Sequence, residues 1–223
     1  ELATLAKEIE AESHRDSLSY ILDALTAILA SETSPTLLTK LVGLWGHIIE
    51  ALLREGKWTV LENVLSLLHE TDAVRPDLSE EHKQQLLSIV NGLGRTERIK
   101  AIETYLNRSP DANIEGLSTI LLLMKPDAVP SLCTLLANLT SLAHQAIVGD
   151  ALTVLAKDHP DPVLRGLLDR RPVYVRNLLS ILMKWNNPKF VESIEKLIRY
   201  PDAQVRREVV RAIGRLRPNG SGV

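Results

Sequence analysis

The stretch that decides the fold is residues 201–216, which read Pro-Asp-Ala-Gln-Val-Arg-Arg-Glu-Val-Val-Arg-Ala-Ile-Gly-Arg-Leu. Its apolar side chains recur at spacings of three and four, the pattern of a helix with one buried face: Val205, Val209, Ala212, Ile213 and Leu216. Pro201 disfavours helix at the residue before it, and Asp202 places a carboxylate near the positive end of the helix that follows. The stretch therefore predicts a helix over 202–216.

The Pro-Asp pair recurs along the chain, each time just before an apolar helical pattern, at 110–111, 126–127, 160–161 and 201–202. Equivalent apolar patterns open at Ile114, Val175 and Val205, and a further copy is expected near residue 144. These positions give a period of about 30 residues with two helices in each unit. Such a period indicates stacked helical hairpins, because one hairpin cannot bury its apolar face alone.

We predict an all-α fold of stacked helical hairpins, because no sustained alternation of apolar and polar residues indicates a strand. Residues 1–94 are interpreted as irregular N-terminal hairpins of the same stack, 95–217 as the regular repeats and 218–223 as a flexible tail. The chain begins at Glu1 without a methionine, so we expect a fragment of a longer protein. The expected helices span 2–12, 16–30, 35–54, 57–70, 79–93, 96–107, 111–124, 127–138, 141–156, 161–169, 172–185, 188–199 and 202–216.

Residues 202–216 resemble the second helix of a HEAT repeat, in which Asp-x-x-Val-Arg is commonly followed by Ala-x-Gly-x-Leu. The matching residues are Asp202, Val205, Arg206, Ala212, Gly214 and Leu216. A weaker copy, Arg-Pro-Val-Tyr-Val-Arg, lies at 171–176, and 109–115 keeps the turn but has Glu115 where the family has arginine. The resemblance covers about residues 95–217 and is thin before them.

The HEAT-like resemblance implies roles for residues as well as a fold. In the family, aspartate and arginine at these positions tend to bond between adjacent repeats, which predicts an inter-repeat ladder through Asp202 and Arg206. The resemblance implies a right-handed superhelix of the hairpins, in which their second helices are expected to line the concave side. Because family members are mostly scaffolds, the resemblance implies a non-enzymatic protein that presents an extended surface to a protein partner.

Composition and motifs point away from catalysis and from metal binding. Cys133 is the only cysteine, so an intrachain disulfide is excluded, and a reducing, cytoplasmic location is expected. The six histidines include no His-x-x-x-His pair, and no phosphate loop or nucleophile elbow is present. Uninterrupted apolar runs such as 120–124 are too short to cross a bilayer. We therefore expect no cofactor, no metal, no membrane and no small-molecule substrate.

Charge is unevenly distributed along a chain whose net charge is only −2. Residues 165–217 contain 13 Lys and Arg against 5 Asp and Glu, a net charge of +8, whereas residues 1–164 contain 13 against 23, a net charge of −10. Arg207, Arg211 and Arg215 follow one another at a spacing of four and lie on one side of the last helix, and Arg176 lies one repeat earlier. These four arginines are the predicted contacts for a partner, which is expected to be an acidic protein.

Other interpretations of the basic end remain open. The cations could simply solvate exposed helix faces, or dock against an acidic region of the parent protein or of another copy. Nucleic-acid binding through 165–217 is the second functional hypothesis. The third is an enzyme similar to DNA glycosylases built from HEAT-like repeats, which use a basic groove with a tryptophan. Here Trp45, Trp58 and Trp185 lie far apart in sequence, and the first half of the chain is acidic.

Overall fold

The computed structural model describes residues 17–217, without the side chains of Ser17 and of residues 71–74. Within this part of the chain the fold is all-α, as predicted, and it contains no strand. The predicted helix over 2–12 and the predicted tail over 218–223 lie outside the described residues. The helices are α1 (Ser17–Ser31), α2 (Pro35–Glu55), α3 (Trp58–Val74), α4 (Glu80–Asn91), α5 (Thr96–Arg108), α6 (Leu117–Leu122), α7 (Val129–Asn138), α8 (Leu142–Leu155), α9 (Asp161–Gly166), α10 (Pro172–Trp185), α11 (Val191–Glu195) and α12 (Ala203–Leu216).

Two rows of helices emerge from the contacts. In the first row α2 packs against α5, α5 against α7 and α7 against α9, and α11 follows next to α9. In the second row α3 packs against α6, and then α6, α8, α10 and α12 follow one another as neighbours. Each of α7, α9 and α11 also contacts the second-row helix that follows it in sequence. Helical hairpins are thus the packing unit.

The spacing of the helices agrees with a period of about 30 residues in the second half of the chain. The second-row helices α8, α10 and α12 begin at Leu142, Pro172 and Ala203. The first buried residues of these helices are His144 and Gln145 in α8, Tyr174 and Val175 in α10, and Val205 in α12. The expected apolar copy near residue 144 is therefore a helix start at which two polar side chains are buried.

The Pro-Asp pairs mark different points of the unit. Asp202 caps the second-row helix α12, whereas the pairs at 126–127 and 160–161 lie at the starts of the first-row segments that lead into α7 and α9. The pair at 110–111 lies in the turn between α5 and α6. The pair is thus a general helix-start signal here, since proline suits a first turn and aspartate favours the positive helix end.

Three predicted helices are shorter than the sequence pattern suggested. The expected helix over 111–124 begins only at Leu117, because Asn113 accepts the Glu115 backbone N–H in a local turn and Gly116 has a φ of 84°. A side chain at Gly116 would also meet the Trp58 backbone carbon at 3.0 Å. The expected helices over 161–169 and 188–199 are helical only as α9 and, after a 3₁₀ turn at Pro188–Phe190, as α11.

A single hydrophobic core runs through both rows and is built mainly from leucine, isoleucine and valine. The long helix α2 contributes Trp45, Ile49 and Leu53, which are fully buried. Its length and hydropathy would suffice for a membrane span, but core helices of this kind pass the same test. At the N-terminal end the buried guanidinium of Arg75 donates to the carbonyls of Leu29 and Glu32 and to Asp77, which satisfies free carbonyls at the end of α1.

Candidate partner-binding surface

The predicted contact residues lie on the exposed side of the second row. We define the second-row surface as the solvent-facing residues of α8, α10 and α12 on that side, all exposed except the half-buried Arg176: Ala143, Ala146, Asp150, Val154, Val173, Arg176, Ser180, Lys184, Gln204, Arg207, Arg211 and Arg215. In each helix these residues recur at spacings of three and four, so they form a stripe along one face. The surface therefore consists of three parallel stripes.

Helix α12 contributes the most basic of the three stripes. Val205, Val209 and Ala212 are fully buried, which directs Arg207, Arg211 and Arg215 toward solvent. Arg211 forms an ion pair with Glu208 at 2.8 Å, one helical turn away. Within the described residues, the side chains of Arg207 and Arg215 have neither an ion pair nor a hydrogen bond, so both are available to a partner.

Two polar bridges join the stripes to one another. The guanidinium of Arg176 on α10 donates to the side-chain oxygen of Gln204 on α12 at 2.7 Å. On the other side of α10, the exposed ammonium of Lys184 pairs with the exposed Asp150 of α8. The predicted contact Arg176 is therefore half-buried between two units, while it still belongs to the same surface as the three arginines of α12.

The hydrogen bonds of Asp202 and Arg206 differ from the predicted inter-repeat ladder. A carboxylate oxygen of Asp202 accepts the backbone N–H groups of Gln204 and Val205, both at 2.9 Å, and so caps its own helix. Arg206 donates to the carbonyls of Tyr200 and Pro201 in the turn before that helix. Both side chains thus stabilise the entry of α12 within its own unit.

Other side chains make the bonds between units, at separations close to one period. Asn177 of α10 donates to Gln145 of α8 at 2.9 Å, and the Trp185 indole donates to the carbonyl of Thr153 at 2.7 Å. The Tyr200 hydroxyl donates to the Asp169 carbonyl, 31 residues away. The signal in the sequence was weak: a polar or aromatic residue at a half-buried helix position, with a partner about 30 residues away.

The aromatic residues of the basic end pack in the core or form hydrogen bonds within the fold. Tyr174 and Phe190 are buried, Phe190 lies beside the Trp185 ring, and the polar atoms of Trp185 and Tyr200 bond to backbone carbonyls. Proteins that bind single-stranded nucleic acid usually stack bases on exposed aromatic rings. These four residues offer no such exposed ring.

Outside the second-row surface, burial and ion pairing explain the shifted pKa values of two ionisable groups. Cys133 is buried, and burial raises the pKa of its thiol to about 11, partly offset by a hydrogen bond with Tyr174. The Arg171 guanidinium beside Asp169 lowers the pKa of that carboxyl to about 2.

Within residues 17–217, no three His, Cys, Asp or Glu side chains cluster as metal ligands would. Trp45 and Trp58 lie in the core of the first half, apart from the basic end.

The cations of the basic end fall into three groups, the smallest of which, Arg176 and Arg206, donates to uncharged oxygens. Arg171, Lys184, Arg211 and Arg217 pair with Asp169, Asp150, Glu208 and Glu195, respectively. A further group of exposed cations makes no ion pair or side-chain hydrogen bond with any described residue: Arg165, Arg170, Lys189, Lys196, Arg199, Arg207 and Arg215. The excess positive charge is therefore not neutralised within the described fold.

Comparisons with protein-family models, with curated proteins and with solved structures found no match to this chain.

Proposed function

We propose that this protein is a non-enzymatic interaction scaffold, a right-handed superhelix of HEAT-like hairpins whose second-row surface binds an acidic protein partner. The observation that carries the proposal is the unneutralised positive charge on α12, next to Arg176 of α10. Two neighbouring rows of helices, linked by bonds about one period apart, are what a stack of such hairpins requires. The resemblance of residues 202–216 to a HEAT repeat gives independent support.

An acidic partner fits the electrostatics. Exposed, unpaired guanidinium groups pair with carboxylates in a planar, bidentate geometry, and Arg207 and Arg215 are free to do so. A field of one sign also accelerates the encounter of oppositely charged proteins and makes their association depend on salt. We therefore place the contact at Arg207, Arg211 and Arg215, with Arg176 at its edge.

The test is a comparison of two charge-reversed variants with the same change in net charge. Arg207→Glu with Arg211→Glu alters the second-row surface, whereas Lys189→Glu with Arg199→Glu alters exposed, unpaired cations beside α11 in the first row. Affinity capture from cells with each bait, quantified by mass spectrometry, should show specific acidic partners that the first variant loses and the second keeps. An identical partner list for wild type and both variants would contradict the proposal.

Nucleic-acid binding through residues 165–217 is the competing proposal, and the same variants address it. A complex with phosphates would weaken steeply with salt, because each neutralised phosphate releases counterions. Labelled single-stranded DNA, duplex DNA and RNA should show no binding at low salt if the protein-partner proposal is right. Binding of any of them that is lost in Arg207→Glu with Arg211→Glu would favour the nucleic-acid hypothesis.

A further inference from the structure

The second-row surface changes character from one helix to the next. Its α12 stripe is basic, its α10 stripe is mixed, and its α8 stripe is apolar apart from Asp150, which Lys184 neutralises. Helix α8 buries Val148, Ala151 and Leu152 in the core, but other apolar side chains of this helix face solvent. Val154 in the stripe is 62% exposed, and Leu142 at the start of the helix is 75% exposed. The described fold therefore leaves an exposed apolar stripe on α8, separated from the basic stripe of α12 by the mixed stripe of α10.

Small side chains lie on two of the three stripes of this surface. Ala143 and Ala146 of α8 and Ser180 of α10 are small and exposed. Small side chains let a second backbone approach closely, and packed helices lie about 8–10 Å apart. A helix seated along α10 would thus touch α8 on one side and α12 on the other.

The spacing of the arginines matches the repeat of such a helix. Arg207, Arg211 and Arg215 are four residues apart, so they follow one another at roughly 6 Å along α12. Glutamates at positions i, i+4 and i+8 of a second helix recur with the same spacing. Each carboxylate can therefore face one guanidinium, as in charge pairing between neighbouring helices of a coiled coil.

We propose that the second-row surface binds an amphipathic helix of the partner that carries aliphatic side chains on one face and carboxylates on the adjacent face. Its aliphatic face packs on Ala143, Ala146 and Val154 of α8, and its acidic face pairs with the arginines of α12. This inference rests on the proposed function and adds the class of segment that is recognised. Helix-in-groove recognition reads apolar anchors at spacings of three and four, which α8 is suited to receive.

The first step of the test needs no known partner. A random peptide library displayed on phage is selected on the wild-type protein and counter-selected on the Arg207→Glu, Arg211→Glu variant. Enriched peptides should carry aliphatic residues at helical spacing, with Asp or Glu on a neighbouring face. If no enriched peptide distinguishes the two proteins, the inference and the proposed function both fail.

The second step isolates the apolar half of the surface. Fluorescence anisotropy measures the affinity of a selected peptide for Val154→Glu, for Ala146→Glu and for the control Leu168→Glu, which changes an apolar residue that is 79% exposed and lies after α9 in the first row. We expect at least about a tenfold loss for the two α8 variants, because an unpaired carboxylate buried against aliphatic side chains costs more than about 1.4 kcal/mol. The control Leu168→Glu should change the affinity less than about twofold. Full affinity for both α8 variants, with loss only in the arginine variant, would overturn this inference and leave the proposed function standing.

Discussion

The bonds between units should make a measurable contribution to stability, and Asn177→Ala tests this most cleanly. The Asn177 amide donates to the side-chain oxygen of Gln145, and the amide of Gln145 donates in turn to the Leu139 carbonyl at 2.8 Å. Gln145 is buried, so the alanine variant leaves its oxygen without the only donor that the described residues provide. A lost hydrogen bond with an orphaned buried acceptor costs about 1–3 kcal/mol.

The expected result is a free energy of unfolding lower by about 2 kcal/mol. For a chain of this size, 1 kcal/mol shifts the melting temperature by about 2–4 °C, so the variant should melt about 4–8 °C below wild type. Circular dichroism at increasing temperature and in urea measures both quantities. Asn91→Ala is the control, since Asn91 is exposed at the end of α4 and its change should stay within about 0.5 kcal/mol.

A double-mutant cycle decides whether the bond itself is responsible. Gln145→Ala combined with Asn177→Ala should cost less than the sum of the single variants, with a coupling of about 0.5–3 kcal/mol. Additive effects, or an Asn177→Ala variant as stable as Asn91→Ala, would refute the account of the bonds between neighbouring units.

Three further predictions concern single residues. Asp202→Ala should lower the free energy of unfolding by about 1 kcal/mol through loss of the cap on Gln204 and Val205, and a melting temperature equal to that of wild type would contradict this. Burial lowers the pKa of His144, partly offset by the charge of Asp111 and a hydrogen bond with the Leu106 backbone, so the unfolded chain binds the proton more tightly. Stability should therefore fall as the pH drops below about 6.5, and this acid loss should be smaller in His144→Val, as urea titrations at several pH values would show. Burial raises the pKa of Cys133, so its reaction with a thiol reagent at pH 7 should be much slower in the native protein than in urea, and equal rates would contradict its burial.

The parts of the fold that the sequence predicts well are those determined by local signals. Helix α10 begins and ends where predicted, since Pro172 fits its first turn and Asn186 adopts the left-handed conformation that ends it. The predicted start of α6 was wrong because the true start depends on Gly116 lying against the backbone of Trp58. These two residues are far apart in sequence. Apolar periodicity cannot reveal such a contact.

The candidate surface was predictable to a similar degree. The spacing of Arg207, Arg211 and Arg215 placed them on one side of a helix, and the structure agrees. The roles of Asp202 and Arg206 differed from expectation, because each finds partners in its own turn. The apolar stripe of α8 was not identified, since periodicity alone does not show which face of an apolar helix lacks a neighbour. Segregation of apolar and basic stripes becomes visible only when α8, α10 and α12 lie side by side.

The central claim is that a partner binds the second-row surface, and site-specific photo-crosslinking in cells tests it most directly. A photoreactive amino acid is placed at Ser180, in the middle of that surface, or at Leu168, which is exposed on the first-row side. The account predicts a crosslinked protein partner from position 180 that is absent when Arg207→Glu and Arg211→Glu are added, and none from position 168. A partner crosslinked from position 168 and not from position 180 would contradict it.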